Sequence, residues 1–578
     1  MKDNLRVGSW LVAPSLNSIS CQDRNVRLEP KVMGVLLCLA QHPGETLSKE
    51  RLFQAVWPNV VVTDDVLKRC IAELRRAFKD DVRQPRFIET VSKRGYRLIA
   101  QVRVPAAATP RDESVARDSL VVLPFINMSA DPESEYFADG ITEEIIDALA
   151  QIRELHLVAR SSSFSLKGRH IDVRSIGEQL NVRTVLEGSV RRADSRLRIT
   201  AKLVKAADGY HLWSEHYDRE MKDVFAIQED IARRIAQRLK VTFPWSSGEP
   251  LVKAATPNLD AYDSYLKARA LLYKRGVSIR PALGYYERAV KLDPNYALAW
   301  AGLADCYATL GIFGLTPPQQ SMPKAIEAAR RAVALDSLLA EGHNALAMAS
   351  LMGAWDRAEA EREFARAMEL NPKCTQAFDW YGLFCVQLSK GQLAEGMEQA
   401  KVALLSDPVS AYAHAIYALT CLVAGKIAEG EEASRRAIEL DPESFIAQFS
   451  LQELLRVSGQ FEESVATAEF ALAMSGRHAW SMTVLALTLA DWGKAMDADS
   501  VYCEMQARAR REYMPPAPLA VAASAAARED EAIGHARKAY EIRDPDCQIF
   551  LTEYSWLSGY PWFRELVRHV AWARGPTQ

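Results

Sequence analysis

The side chains best placed to do chemistry are cations. Lys68, Arg69, Arg75, Arg76 and Lys79 crowd the stretch TDDVLKRCIAELRRAFK, and Lys93 and Arg94 follow in SKRG. Guanidinium and ammonium groups gathered in this way neutralise a polyanion, and an arginine fork can also pair with a base edge. Something rigid must hold them. Leu67, Ile71, Leu74 and Phe78 are spaced four, three and four residues apart, so they stack along one stripe of a helix. The spacing predicts a helix over 63–78 with a dry face and a cationic face. Thr63 caps its amino end, and Asp64 and Asp65 sit in the first turn, where the positive end of the helix dipole favours them.

The residues that follow read as a hairpin. Runs 87–91 and 96–99 are rich in β-formers, with Ser92-Lys93-Arg94-Gly95 as the turn between them. A charged stripe alone would be no more than the solvated side of a surface helix. The hairpin adds cations at a second place, and the order of helix pair, basic helix and basic-tipped hairpin suits a duplex. The helix fits the major groove and the tip reaches the backbone or the adjacent minor groove.

Residues 5–100 resemble an OmpR/PhoB-type winged-helix DNA-binding domain of the CadC-like one-component kind. The resemblance rests on Leu36–Leu39, Leu52, Trp57-Pro58, Val66…Ile71…Leu74-Arg75-Arg76, Ile88-Glu89-Thr90-Val91 and Arg94-Gly95-Tyr96-Arg97-Leu98. It implies double-stranded DNA as partner. With side-chain chemistry it implies that Lys68, Arg69, Arg75 and Arg76 contact phosphates or base edges. Lys93 and Arg94 would contact the backbone at the wing, Thr63 and Thr90 would hydrogen-bond to phosphates, and Tyr96 would pack against sugar. Half-sites in tandem or inverted order are common for such domains, so a homodimer on DNA is expected.

Composition supports a basic head on an acidic body. The 578-residue chain has a formal net charge of -3, but residues 1–105 carry 18 Lys+Arg against 11 Asp+Glu, a net of +7, leaving -10 for the rest. Nine scattered cysteines without a C-x-x-C pair point to reduced thiols and a cytoplasmic location. No histidine spacing suggests a metal site. The start MKDNLRVGSW lacks a signal-peptide core, and no run of eighteen apolar residues occurs. CadC-like relatives often carry a membrane span after the winged helix. Here that place holds the polar VRVPAAATPRDESVARDS, so no membrane partner is expected.

The domains expected are a winged helix over 1–103, a linker over 104–118, an α/β domain over 119–243, a second linker over 244–258 and an all-α array over 259–578. In the middle domain the strands are placed at 119–125, 155–160, 184–192, 196–205 and 210–217. Its helices are placed at 135–151, 172–181 and 224–241. Val122-Leu123-Pro124-Phe125, Phe137-Ala138-Asp139-Gly140-Ile141, Leu186-Glu187-Gly188-Ser189-Val190 and Leu212-Trp213-Ser214-Glu215 resemble the TolB amino-terminal-like domain. Asp139-Gly140 offers an anion site at a helix start or a plain turn. Trp213 offers a pocket wall or a packed sheet face. In the array, Gly391, Gly425, Gly459 and Gly493 recur every 34 residues, Asn371-Pro372, Asp407-Pro408 and Asp441-Pro442 punctuate it, and Ala-Trp300-x-x-Leu303-x-x-x-Tyr307 matches a tetratricopeptide first helix. About eight units are expected, with a loop near 310–323 and a closing helix over 550–573. Such solenoids usually take a protein or peptide partner.

No phosphate loop, dinucleotide fingerprint or nucleophile elbow occurs, and no cofactor is expected. No receiver domain precedes the winged helix, so phosphorelay signal transduction within this chain has no support. The fold class is multidomain α+β: winged helix-turn-helix, small α/β domain, tetratricopeptide solenoid. The function expected is a non-enzymatic, bacterial-type, sequence-specific transcription regulator. The alternatives are an adenylate-cyclase-like enzyme or enzyme regulator, suggested by the company TolB-like domains keep, and an interaction scaffold.

Overall fold

The computed structural model describes residues 5–103, 119–239, 255–274 and 279–567, apart from short stretches inside these ranges, of which 57–63, 81–84 and 92–93 touch the first domain's site. Met1–Val115 and Ala116–Gln578 form two compact units. The linker expected at 104–118 lies outside the described residues.

The first unit opens with β1 (Leu5–Val7), β2 (Trp10–Ala13), β3 (Ser18–Cys21) and β4 (Arg24–Arg27), a small antiparallel sheet; β8 (Val102–Arg103) adds to β1. Next come α1 (Pro30–Ala40), β5 (Thr46–Leu47), α2 (Lys49–Val56), α3 (Asp64–Phe78), β6 (Ile88–Val91) and β7 (Gly95–Leu98). Strands β5, β7 and β6 make a second sheet with β7 in the middle. The predicted stripe is buried: Leu67, Ile71, Leu74 and Phe78 pack with Val32, Leu36 and Leu39 of α1, Leu52 of α2, and Ile88 and Leu98 of the hairpin. Non-local burial of this kind, rather than helix propensity, holds a 15-residue helix in place.

The second unit begins with a mixed sheet. Strands β9 (Ser119–Val122), β10 (Ile126–Asn127), β11 (His156–Leu157), β12 (Thr184–Ala193), β13 (Arg196–Lys205) and β14 (His211–Glu220) order as β11-β9-β12-β13-β14, with β10 also on β12. The β9 pairs are parallel and β12–β13–β14 antiparallel. Helices α4 (Glu135–Ala150) and α7 (Val224–Leu239) pack on the face bearing Leu186, Leu197, Ile199 and Leu203. Helix α6 (Val173–Leu180) packs on the face bearing Val121 and Val185. The expected strand 155–160 is cut short, because α5 (Arg160–Phe164) starts there, with the Arg160 guanidinium over the Phe164 ring at 4.3 Å. Asp139 and Gly140 lie inside α4 rather than ahead of a helix. Their amides belong to the helix ladder, Asp139 pairs with Lys167, and a Cβ on Gly140 would meet Leu266 at 2.6 Å. The anion-site alternative therefore falls. Trp213 is buried with Nε1 donating to Glu215 at 3.1 Å, so it packs the sheet face.

The array shares a hydrophobic core with this sheet region, running from Leu120 to Leu346. Asp263 of α8 (Leu259–Lys274) takes hydrogen bonds from Tyr136 and Arg192, each at 2.6 Å. Helices α9 (Ile279–Leu292), α10 (Ala297–Ile312) and α11 (Pro318–Leu335) continue the antiparallel stacking, and eight helix pairs are present among the described residues, ending with Pro516–Ala525 and Glu529–Glu541. Gly391, Gly425, Gly459 and Gly493 all have positive φ, the left-handed turn that ends the first helix of a pair. Trp355 (φ 60°) and Ala527 (φ 56°) hold the same turn without glycine. The expected closing helix over 550–573 is not continuous. Cys547–Phe550 ends at Leu551, Trp556–Gly559 is a single 3-10 turn, and 568–573 lie outside the described residues.

First helices of the later pairs are buried nearly all round. In Phe445–Val457 every residue from 447 to 456 is buried, and in Ala479–Asp491 every residue from 479 to 489. Helices dry on all sides belong to a core and leave no open groove. The array closes on itself: the expected loop after α10 carries Phe313, which stacks on Trp480 (5.2 Å, 22°), and the His478 ring nitrogen Nε2 lies 3.0 Å from the Phe313 carbonyl. Helix α5 seats on the same array, the Ser162 amide donating to Asp407 at 3.1 Å. The inner sides of Phe445–Val457 and Ala479–Asp491 are covered by the chain itself.

Candidate nucleic-acid interface

Helix α3 presents a ridge. Val66, Lys68, Arg69, Ala72 and Arg76 are exposed, while Leu67, Cys70, Ile71, Leu74, Ala77 and Phe78 are buried. Its start is fastened by Lys49 of α2, which pairs with Asp64. Lys68 donates to Asp65 at 2.9 Å, and this bond raises the pKa of the ammonium. Arg69 is 79% exposed and 3.9 Å from Glu29, a contact weak enough to yield to a phosphate. Thr63 lies outside the described residues, as do Lys79 and Trp57-Pro58.

Arg75 departs from expectation. Its Nη2 donates to the Ile88 carbonyl at 2.8 Å and to Thr90 Oγ1 at 2.9 Å, and its Nε reaches the same carbonyl at 3.3 Å. The guanidinium thus ties the last turn of α3 to the first strand of the wing instead of pointing outward. On the helix wheel Arg75 borders the buried stripe, four residues after Ile71, and the wing packs against that border. Thr90 is exposed but already accepts from Arg75.

The wing is pinned at three further places. Asp80, buried two residues past α3, accepts the amides of Arg86 (2.6 Å), Phe87 (3.2 Å) and Ile88 (2.8 Å). Phe78 and Phe87 stack at 4.8 Å with planes 3° apart. At the far end Gly95 has φ 135°, and a Cβ there would sit 1.9 Å from the Leu47 carbonyl oxygen, so only glycine lets β5 pair beside the turn. Arg94 is exposed at the tip. Lys93 lies outside the described residues. Tyr96 is 7% exposed and belongs to the core, because β7 is the central strand; its ring is not available to a sugar. Asp80 escaped the sequence reading, its only signal being an acid between a helix end and a strand.

The arrangement is a three-helix domain with an outward basic ridge on the third helix and a hairpin locked to it: a winged helix of the OmpR/PhoB type, a DNA-binding domain. Residues 23–98 match the family model described as "Transcriptional regulatory protein, C terminal". Over 99 residues the chain is 46% identical to the transcriptional activator CadC of Escherichia coli, covering 17% of this chain and 19% of that one. It is 40% identical over 258 residues to the putative adenylate cyclase 3 of Rhizobium meliloti, 44% of each chain. It is 26% identical over 405 residues to the transcriptional regulator HilA of Salmonella typhimurium, 68% of this chain and 69% of that one. The chain thus spans less than half the length of the first two relatives. No helix among the described residues is long and apolar enough to cross a membrane.

Proposed function

We propose that the whole chain is a one-component, sequence-specific transcription regulator that binds duplex DNA through α3 and the wing. One observation carries the reading: Lys68, Arg69 and Arg76 stand exposed on a helix whose wing is hydrogen-bonded to it, so ridge and tip move as one body. Arg69 and Arg76 contact base edges or phosphates in the major groove, and Lys68 exchanges Asp65 for a phosphate. Thr63 adds a phosphate contact at the helix start, and Lys93 and Arg94 supply salt-dependent backbone contacts. Arg75 and Thr90 position the wing. The CadC and HilA names support a transcription regulator; the reading adds a cytoplasmic location, no enzymatic activity and a homodimer on adjacent half-sites. Protein partners dock on the outer helices of the array, since the inner ones are buried.

In vitro selection of bound duplexes by the full chain tests the reading. A motif should emerge, and Arg69→Ala with Arg76→Ala should abolish or relax it. Recovery of unenriched sequence would overturn it. The relative named as a putative adenylate cyclase motivates a second assay, cyclic nucleotide production with Mg or Mn, for which no turnover is expected.

A further inference from the structure

An open cleft of about 730 Å³ runs along the seam where the second and eighth helix pairs meet. One wall is α11, with Pro318, Met322 and Ile326. The other is the carboxyl end of Glu529–Glu541, with Ile542 and Arg543. The floor is Gly353 and Ala354. This is the size of a small-molecule site. Close approach makes it: a Cβ on Gly353 would press to 2.9 Å from Met322 Cβ, so a larger residue there would disturb the floor.

The polar groups point to the ligand's charge. Of the rim cations, Arg330 already pairs with Glu359 at 3.2 Å. Arg543 spends Nη1 on the Ala354 carbonyl at 3.2 Å, which orients the fork over the floor; among the described residues Nε and Nη2 remain for another acceptor. Its backbone is fixed in the left-handed region (φ 52°) by the turn that ends the array. Gln319, at the second position of α11, adds a first-turn amide at the positive end of the helix. Of the rim acids, Glu541 pairs with Lys538 at 3.0 Å, and Glu327 stands three residues before Arg330 on α11.

We infer that this cleft binds a small organic acid, with an apolar body on Met322, Ile326 and Ile542 and its carboxylate on Arg543 and the Gln319 amide. Occupancy would bridge the second and eighth helix pairs. Nothing in this depends on DNA binding.

The test uses the full chain and a fluorescent aryl sulfonate, 8-anilinonaphthalene-1-sulfonate. One saturable site per chain is expected, with affinity at least tenfold weaker in Arg543→Glu and in Ile326→Asp. Naphthalene-2-carboxylate should displace the probe, and naphthalene-2-methanol should do so at least tenfold less well. Arg543 is exposed, so Arg543→Glu keeps the test sound if Ile326→Asp fails to fold. Unsaturable binding, unchanged affinity in Arg543→Glu, or equal displacement by acid and alcohol would overturn the assignment.

Discussion

Replacing Arg75 separates a clamp from a base reader. Arg75→Ala removes three donor contacts, two to the Ile88 carbonyl and one to Thr90. Ile88 is fully buried, so its carbonyl loses a charged donor that water cannot readily replace. A charged hydrogen bond contributes about 1.5–3 kcal/mol when buried, and partial exposure of Arg75 places the expected loss near the lower end, about 1.5–2 kcal/mol. The loss should be local. Hydrogen exchange at Ile88–Val91 should accelerate by roughly tenfold or more, because 1.4 kcal/mol is a factor of ten in the opening equilibrium. DNA affinity should fall by a similar factor for every duplex, with base preference unchanged. Arg75→Lys should recover part of both effects, and Thr90→Val should be less than additive with Arg75→Ala. If Arg75→Ala left wing exchange untouched while relaxing preference at one base pair, the side chain would be a reader that swings out on binding, and the clamp would be wrong.

Further expectations concern the same domain and the array. Arg76→Ala and Arg94→Ala should each lower the slope of log affinity against log salt by about one; for Arg94→Ala the loss should be equal on all sequences, and an unchanged slope in fluorescence anisotropy would remove these residues from the interface. Gly95→Ala should cost about 3 kcal/mol or more through its clash with the Leu47 carbonyl and its positive φ, abolishing DNA binding while the melting of the second unit stays put; wild-type binding would refute the close approach. Burial holds His478 down at about 4, below its ordinary value of 6.5. On acidification the unfolded chain takes this proton first, so stability is lost from about pH 6.5 down to about pH 4, by about 2–3 kcal/mol after allowing for partial exposure. Asp407 and Asp544, pushed up to about 6 by burial, act in the opposite sense. The diagnostic is therefore the difference between wild type and His478→Gln in urea titrations, and parallel pH profiles would count against the effect.

The legibility of this protein in its sequence follows from where each signal resides. The α3 stripe was readable because Leu67, Ile71, Leu74 and Phe78 repeat with the helix itself. Arg75 sits beside that stripe, and whether such a position faces water depends on what packs there; the wing that does so is set by Asp80 and by the Phe78–Phe87 stack, which are tertiary. Tyr96 follows the same logic, since alternation shows two faces of a strand but not that β5 arrives to make β7 central. The repeat length was visible through glycine, yet Trp355 and Ala527 adopt the same left-handed turn against their intrinsic preference. The filled interior was hidden because an apolar first helix looks alike whether its inner side meets solvent, a guest or its own chain. Exposure of Arg69, Arg76 and Arg94 agrees with the cationic reading of the site, but which of them meets a base is not written in periodicity.

The contact of Phe313 with Trp480 has a consequence for how this array can evolve. Open arrays of this kind gain or lose a module with little penalty, because each interface is local. Here the accumulated rotation of the intervening pairs must bring the seventh pair back to the loop that follows α10. A deletion of one 34-residue module would put the two aromatic rings out of phase, so the number of modules is itself under structural constraint.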